Sequence, residues 1–343
     1  MNNNILIVHH NDADGHCAAA IVRYELTNPM NLVDYYEYNY SGNVEAEIKS
    51  GATVYLVDIS MSIFVEQFIQ NCLKEACKVI HIDHHKPSVQ YYNDNTVEDP
   101  NWIYFVHDEN DEKNGAISGA LLTFIYTCMK EDKRNKPMDV DFDLTELRDH
   151  LIFDGDMENE YRVPMLIRMI DDHDVWRHNL VESKPFSYAY KRMPADMVDP
   201  AEDDLWEAIY NDNHHLLFNS IQSGERYVQD ENERNESLRN IGGFITAKFN
   251  NNCYCLNNLF AGSDQFGDMY EDCDMVCRFA YNGKAWKYSL YSSNPEIDCS
   301  DIAKRYGGGG HKGAAGFDLP YCIFGGEPPK LTLKEKIKKL FKK

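Results

Sequence analysis

Short runs of apolar residues alternate with segments of helical periodicity over the first ninety residues of the chain. Ile5 to Val8 is apolar throughout, which is typical of a strand that is buried on both faces of a sheet. Strands are predicted at residues 5–8, 34–40, 53–57 and 78–82, and helices at residues 15–26 and 63–72. This alternation predicts a parallel sheet that is covered by helices.

The pattern changes further along the chain. Residues 116–180 are mainly helical in pattern, and residues 201–240 form a polar stretch rich in Glu, Asn and Arg that predicts a connecting helix or pair of helices. Asn282-Gly283 then separates two strand-like runs, which predicts a hairpin with a type I′ turn. The fold class expected is α/β, with a parallel-sheet domain (1–195), a helical connector (196–240), a smaller α/β domain (241–327) and a basic tail (328–343).

The charge is unevenly distributed. The chain carries a formal net charge of −22, although residues 330–343 contain seven lysines and one glutamate. An acidic body does not suit sequence-independent binding of long duplex DNA, which requires a basic face. We therefore expect no stable binding of duplex DNA. Small substrates, or metal ions that supply the positive charge, fit this composition better.

The expected location is the cytoplasm. No apolar stretch approaches the length of a transmembrane helix, and residues 1–8 lack the basic residue of a signal peptide. We therefore expect no membrane association, and free thiols at the ten cysteines. A homodimer is the default expectation for the oligomeric state.

Two features outside the main motifs carry weaker signals. Apolar residues at helical spacing among the lysines predict that the tail forms a basic amphipathic helix, which we expect to be dispensable for hydrolysis. The four tryptophans are each more typical of packing than of base stacking, although Trp176 closely follows an acidic motif described below.

His10, Asp12 and Asp14 occupy alternate positions directly after the first predicted strand. In an extended segment, alternate side chains point to the same side, so these three can meet at the carboxyl end of the sheet, where α/β sheets bind ligands. One imidazole and two carboxylates suit a transition metal such as Mn²⁺. The alternative is an acidic turn in which Asp14 caps the following helix.

Two further strands end in residues of the same chemical types. Asp58 follows the strand at 53–57, and Asp83-His84-His85 begins where the strand at 78–82 ends. An isolated aspartate in such a position could simply cap a helix. Three strands that deliver Asp or His to one edge of a sheet predict a metal site instead.

Two later motifs are less specific. The run Asp-Asp-His-Asp at 171–174 follows a predicted helix and is either a part of the site or solvated charge. A glycine run precedes His311 and Lys312. Backbone N–H groups of such a run can approach an anion closely, and the two side chains add positive donors. The alternative for this run is a flexible turn.

Together these motifs resemble the DHH phosphoesterases, in the branch that carries a DHHA1 second domain. The resemblance covers roughly residues 3–320 and is greatest for the oligoribonuclease-like (nanoRNase) and cyclic-dinucleotide phosphodiesterase members. The motifs that carry it are His-x-Asp-x-Asp-Gly at 10–15, Val-Asp-x-Ser at 57–60, Asp-His-His at 83–85 and Gly-Gly-Gly-His at 308–311 followed by Ala-Ala-Gly at 314–316.

The resemblance implies a site with two Mn²⁺ ions, for which Mg²⁺ or Co²⁺ are possible substitutes. The implied metal ligands are His10, Asp12, Asp14, Asp58, His84 and Asp172. The first two would bind one ion, Asp58 would bridge both ions, and the others would bind the second. Asp172 is selected because the family places this aspartate after a small or apolar pair. Since Asp171 fills one of those places, Asp171 and Asp174 remain open.

The resemblance also implies roles in catalysis and substrate binding. His85 would contact the scissile phosphate, and Asp83 would orient its neighbours. The implied substrate-binding residues are Gly308, Gly309, Gly310, His311 and Lys312. The expected activity is hydrolysis of short oligonucleotides or linear dinucleotides to nucleoside monophosphates. The alternatives are a small-molecule phosphatase or pyrophosphatase, a single-strand exonuclease, and a non-catalytic nucleic-acid- or nucleotide-binding protein.

Overall fold

The chain divides into two compact units, residues 1–228 and residues 229–343. The structure is a computed structural model that describes residues 4–28, 30–108, 115–129, 151–152, 161–202, 205–209, 214–258, 262–310 and 312–325. The boundary between the units falls inside one long helix that begins within the predicted connector. The predicted tail at 328–343 and His311 lie outside the described residues.

The first unit is built on a parallel sheet. Its elements in chain order are β1 (Asn4–His9), α1 (Ala13–Leu26), β2 (Leu32–Glu37), β3 (Thr53–Val57), α2 (Ile63–Lys74), β4 (Lys78–Asp83), α3 (Lys86–Asp94), β5 (Trp102–Val106), α4 (Gly119–Cys128), β6 (Leu151–Ile152), β7 (Tyr161–Arg162), α5 (Met165–Asp174), α6 (Ser183–Tyr190), α7 (Ala195–Val198), a 3₁₀ helix (Trp206–Ile209) and α8 (His214–Gly242), which continues into the second unit. Strands β1 to β5 pair in parallel in the order β2-β1-β3-β4-β5. The predicted parallel α/β architecture is confirmed.

Both faces of this sheet are buried. On β1, Ile5 and Ile7 contact a core formed with α1, α4 and α5, whereas Leu6 and Val8 contact a second core formed with α2 and α3. This alternation follows from the two-residue period of a strand. It explains why the strand sequence is apolar throughout, and it leaves only the strand ends for polar side chains.

The second unit has a mixed sheet. Its elements after α8 are β8 (Phe244–Thr246), β9 (Cys253–Asn257), a 3₁₀ helix (Ser263–Phe266), α9 (Met269–Asp272), β10 (Met275–Tyr281), β11 (Trp286–Tyr291), α10 (Cys299–Lys304), β12 (Gly309–Gly310) and β13 (Ala314–Leu319). The sheet order is β12-β13-β11-β10-β9-β8, in which β9 and β10 are parallel and the other pairs antiparallel.

The predicted hairpin forms, but its turn differs from the prediction. Tyr281 pairs with Trp286, so the connection has four residues instead of the two of a type I′ turn. Asn282 Oδ1 accepts hydrogen bonds from the backbone N–H groups of Lys284 (3.0 Å) and Ala285 (2.9 Å). This side chain therefore stabilises the longer loop.

All ten cysteines lie among the described residues, and all are free thiols. No helix in the described part of the chain combines the length and the apolar character that crossing a membrane requires.

The close approach of α6 and α8 generates a stability prediction. A Cβ atom on Gly224 of α8 would lie 1.8 Å from the carbonyl oxygen of Pro185 in α6. Gly224→Ala should therefore lower the free energy of unfolding by about 1–3 kcal/mol, although alanine is the better helix former. Gly242→Ala is the matched control in the same helix, because nothing lies within 4 Å of its Cβ position. Equal unfolding free energies of the two variants in urea titrations would contradict the tight contact.

Candidate metal centre

The candidate site lies at the carboxyl ends of three neighbouring strands. His10 follows β1, Asp58 follows β3, and His84 and His85 follow β4. The order β1-β3-β4 makes these strands adjacent in the sheet. The structure therefore brings together the side chains that the sequence predicted would meet.

The backbone after β1 differs from the predicted extended segment. Helix α1 begins at Ala13, and Asp12 is its N-cap, with its carboxylate accepting a hydrogen bond from Gly15 N at 3.0 Å. Asp14 lies in the first turn and is buried. The prediction of an extended chain is thus wrong beyond Asp12, since the capping sequence starts the helix there.

Three overlapping groups of three side chains lie at the centre. The first is His10, Asp12 and Asp58, the second is Asp14, His84 and Asp174, and the third, which shares a member with each of the others, is Asp58, His84 and His85. Within each group the ligand atoms lie within 4.8 Å of one another. Such mixed imidazole and carboxylate groups suit divalent transition metals.

Asp58 belongs to the first group and also approaches the second. Its Oδ2 is 3.8 Å from His10 Nδ1, and its Oδ1 is 3.3 Å from His84 Nε2. Its backbone has a φ of 57°, in the left-handed region, where aspartate is tolerated better than most residues. Its N–H donates to Ile82 O at 2.9 Å, which ties this turn to β4. A single carboxylate in a constrained turn therefore faces both groups.

Helix α4 fixes the position of Asp14. The N–H groups of Gly119 and Ala120 donate to its two carboxylate oxygens at 2.6 and 2.9 Å. A Cβ atom on Gly119 would lie 2.8 Å from Asp58 Cβ and 2.9 Å from Asp14 Oδ2. Sequence reasoning missed Gly119. The signal was the pair Ser118-Gly119, in which Ser118 caps the helix and the glycine leaves room for the carboxylates.

Buried negative charge dominates the electrostatics of the centre. Burial raises the pKa of Asp58 and of Asp174 well above the ordinary value, and it also raises the pKa of Asp14; neighbouring carboxylates add to all three shifts. Among the described residues, Asp58 Oδ1 is buried and has no hydrogen-bond partner. These residues fit divalent cations, which would compensate the charge and bind the open oxygen.

Asp83 and His85 form a separate ion pair. His85 Nδ1 donates to Asp83 Oδ1 at 2.7 Å, and Asp83 is completely buried. Although burial opposes it, the Asp83 carboxylate raises the pKa of His85 to about 9. Burial likewise opposes ionisation of Asp83, but His85 holds its pKa below the ordinary value. In the metal-free protein this ion pair therefore favours the charged form of His85, whose side chain is 36% exposed.

The geometry corrects the choice of Asp172. Its carboxylate accepts hydrogen bonds from Asn179 N, Leu180 N and Ser183 Oγ at 2.8, 3.1 and 2.6 Å. It therefore stabilises the turn after α5 and does not join any of these groups. Asp174 lies in the second group instead. The run belongs to α5, so consecutive residues point in different directions around the helix.

Asp171 has a structural role as well. It accepts a hydrogen bond from Ser118 N at 2.9 Å and forms an ion pair with Arg177, at 2.6 and 2.8 Å. Burial raises the pKa of Asp171 to about 6, although Arg177 opposes the shift. It thereby connects α5 to the N-terminus of α4, beside Asp14.

The glycine run of the second unit has a packing explanation. Gly309 and Gly310 form β12 against β13, and a Cβ atom on Gly308 would lie 2.1 Å from Gly316 O. Lys312 accepts a hydrogen bond at its backbone oxygen from Cys299 N, at 2.8 Å. The described part of this motif is thus a short strand, and its anion-binding role stays a prediction.

Comparison with known proteins identifies the class. Residues 4–147 match the family model described as "DHH family, N-terminal domain". This match covers less than half of the chain, and it identifies residues 4–147 as a domain of the DHH type. The DHHA1 character of the second unit stays a prediction.

Individual relatives are distant. "Uncharacterized protein R106" of Acanthamoeba polyphaga mimivirus is 22% identical over 169 residues, which cover 45% of this chain and only 37% of that protein. The solved DHH domain of a protein described as a member of a family of ribosomal proteins is 13% identical, with a TM-score of 0.54 over 99% of this chain and 87% of that one. The pGpG-specific phosphodiesterase PggH from Vibrio cholerae is 12% identical, with a TM-score of 0.45 over 93% and 94%. The similarity to the solved DHH domain supports the fold alone.

The different surroundings of Asp172 and Asp174 generate a paired prediction. Asp174→Ala should weaken Mn²⁺ binding by at least about tenfold, because it removes a candidate ligand. Asp172→Ala should instead lower the free energy of unfolding by about 1–3 kcal/mol, since three donors lose their acceptor. Calorimetric Mn²⁺ titration and urea denaturation of both variants test the assignment. Weaker Mn²⁺ binding by a folded Asp172→Ala variant, with Asp174→Ala unaffected, would reverse it.

The raised pKa of Asp58 predicts a pH dependence in metal-free protein. Below the unfolded value near 3.8, Asp58 is protonated in both states and Asp58→Asn changes little. As the pH rises, the unfolded state ionises while the folded state holds the proton, so wild-type stability falls relative to the variant. Asp58→Asn should therefore be the more stable protein in EDTA at pH 7, by a margin that shrinks toward pH 4. A margin that does not change with pH would contradict this reasoning.

Proposed function

We propose that this protein is a divalent-metal-dependent phosphodiesterase that hydrolyses short oligonucleotides or linear dinucleotides to nucleoside monophosphates. The observation that carries the proposal is the position of Asp58, whose two oxygens face two separate ligand groups. A carboxylate shared in this way is the arrangement that a two-metal centre requires.

The chain offers complete ligand groups for two cations. His10, Asp12 and Asp58 would hold one cation, while Asp14, His84 and Asp174 would hold the other, with Asp58 shared. Mn²⁺ is the proposed ion, with Mg²⁺ or Co²⁺ as substitutes, because imidazole and carboxylate ligands suit this group of metals. When bound, two such cations neutralise phosphate charge and make water acidic enough to act at neutral pH.

His85 is the proposed contact to the scissile phosphate. Its imidazolium carries positive charge, and its Nδ1 lies 3.8 Å from Asp58 Oδ1, at the edge of the centre. Asp83 accepts the hydrogen bond from Nδ1, which orients the ring and leaves Nε2 as the remaining donor. A fixed cation in this position stabilises charge that develops on a phosphoryl oxygen in the transition state.

The preference for short substrates rests on charge. A chain of net charge −22 repels a long polyanion. A short substrate carries few phosphates, so neutralising one of them at the centre removes most of this repulsion. A substrate-binding role for Gly308 to Lys312 remains a prediction. Cytoplasmic location, a homodimer and the absence of duplex DNA binding remain predictions.

Product analysis tests the proposed activity. With Mn²⁺, a 5′-phosphorylated dinucleotide should yield nucleoside monophosphates faster than a long single strand is degraded, and pyrophosphate should be stable. Asp58→Asn should lower the turnover by at least about 100-fold, because both ligand groups lose a charge. Asp34→Asn is the matched control, since Asp34 lies in the same sheet but is exposed and pairs with Lys49. Pyrophosphate cleavage without dinucleotide cleavage would replace the proposal with a pyrophosphatase.

A further inference from the structure

A cavity of about 610 Å³ opens beside the candidate metal centre, within the first unit. Asp12, Asp14 and Asp174 contribute to its lining, together with aromatic and apolar side chains that include Trp176 and Tyr190. The volume is typical of sites for small organic ligands. The cavity therefore extends from the carboxylates of the candidate metal centre to an apolar compartment.

Trp176 has an unusual backbone for its residue type. Its φ is 55°, and its N–H donates to His173 O at 3.2 Å, while Arg177 N donates to Asp172 O at 3.0 Å. These bonds form a Schellman motif at the end of α5, in which the left-handed position is ordinarily glycine. A tryptophan costs conformational energy there, so the requirements of the helix end do not explain it.

The indole is also exposed, in contrast to the packing role that the sequence predicted. Trp176 is 63% exposed, whereas Trp102 and Trp206 are buried. The His173 ring lies nearly parallel to it, with an interplanar angle of 23° and a centroid distance of 6.3 Å. The packing prediction is thus wrong for Trp176, and the indole is a rigid aromatic surface at the cavity.

We propose that Trp176 is the stacking platform for the base of the nucleotide whose phosphate binds at the metal centre. The inference rests on the proposed function, because the centre supplies the phosphate site. A ligand that fills both compartments needs an anionic group and a planar apolar ring, which is the chemistry of a nucleotide. Lys191 also lines the cavity and adds a positive charge. Since every base has a π-face, stacking here predicts weak discrimination among bases.

Binding of products separates the base from the phosphate. Calorimetric titrations in Mg²⁺ would compare AMP with ribose 5-phosphate, which lacks the base. Trp176→Gly should weaken AMP binding by about tenfold or more, and ribose 5-phosphate binding by less than about twofold. Trp176→Phe should restore much of the AMP affinity, because it keeps an aromatic ring. The thermal unfolding temperature of Trp176→Gly should not fall, since glycine suits the left-handed position.

Tryptophan fluorescence supplies a second readout. AMP should quench the wild type and the control Trp286→Phe, whose substitution lies in the second unit, but should quench Trp176→Gly much less. If Trp176→Gly weakened the binding of AMP and of ribose 5-phosphate equally, Trp176 would have a structural role and the inference would be overturned. Unchanged AMP affinity in Trp176→Gly would also overturn it, while leaving the phosphodiesterase proposal intact. A wild type that binds neither ligand would overturn both.

Discussion

Buried negative charge at the ends of three parallel strands is the constraint on which the rest of the first unit depends. Asp14, Asp58 and Asp83 are almost fully buried at this edge. Carboxylates in such an environment need compensation from hydrogen bonds, helix N-termini, imidazolium groups or cations. The unit supplies all of these from its own chain except the cations. The N-terminus of α4 faces Asp14, and His85 pairs with Asp83.

Asp58 is the carboxylate with the least compensation from the chain, since Asp83 leaves Oδ2 without a partner but accepts a hydrogen bond at Oδ1. Oδ1 of Asp58 is buried without a hydrogen-bond partner among the described residues, and burial raises the pKa of Asp58. A larger residue in place of Gly119 would fit only if Asp58 or Asp14 moved. The fold thus keeps room for charge compensation from outside the chain, at the point where the two ligand groups meet.

The sequence predicts most of this framework because strand signals are local. The apolar runs locate β1, β3 and β4, and parallel strands must bring their carboxyl ends to one edge. The errors arise where the direction of a side chain depends on the exact geometry of the backbone. Asp172 and Asp174 are indistinguishable in a run of acidic residues, but they point to different places on α5. Gly119 lies at the start of α4 and Trp176 just after the end of α5. Their roles depend on these exact positions, which the amino-acid composition does not reveal.

The spacing of the ligands along the chain has a consequence for synthesis. A ribosome releases the chain from its N-terminus, and a domain generally folds as a unit. The ligands of both groups lie between His10 and Asp174, within the unit of residues 1–228. The turn that holds Asp58 also depends on β4, which follows it in the chain. Metal binding by a nascent chain would therefore begin only after most of the first unit has been synthesised.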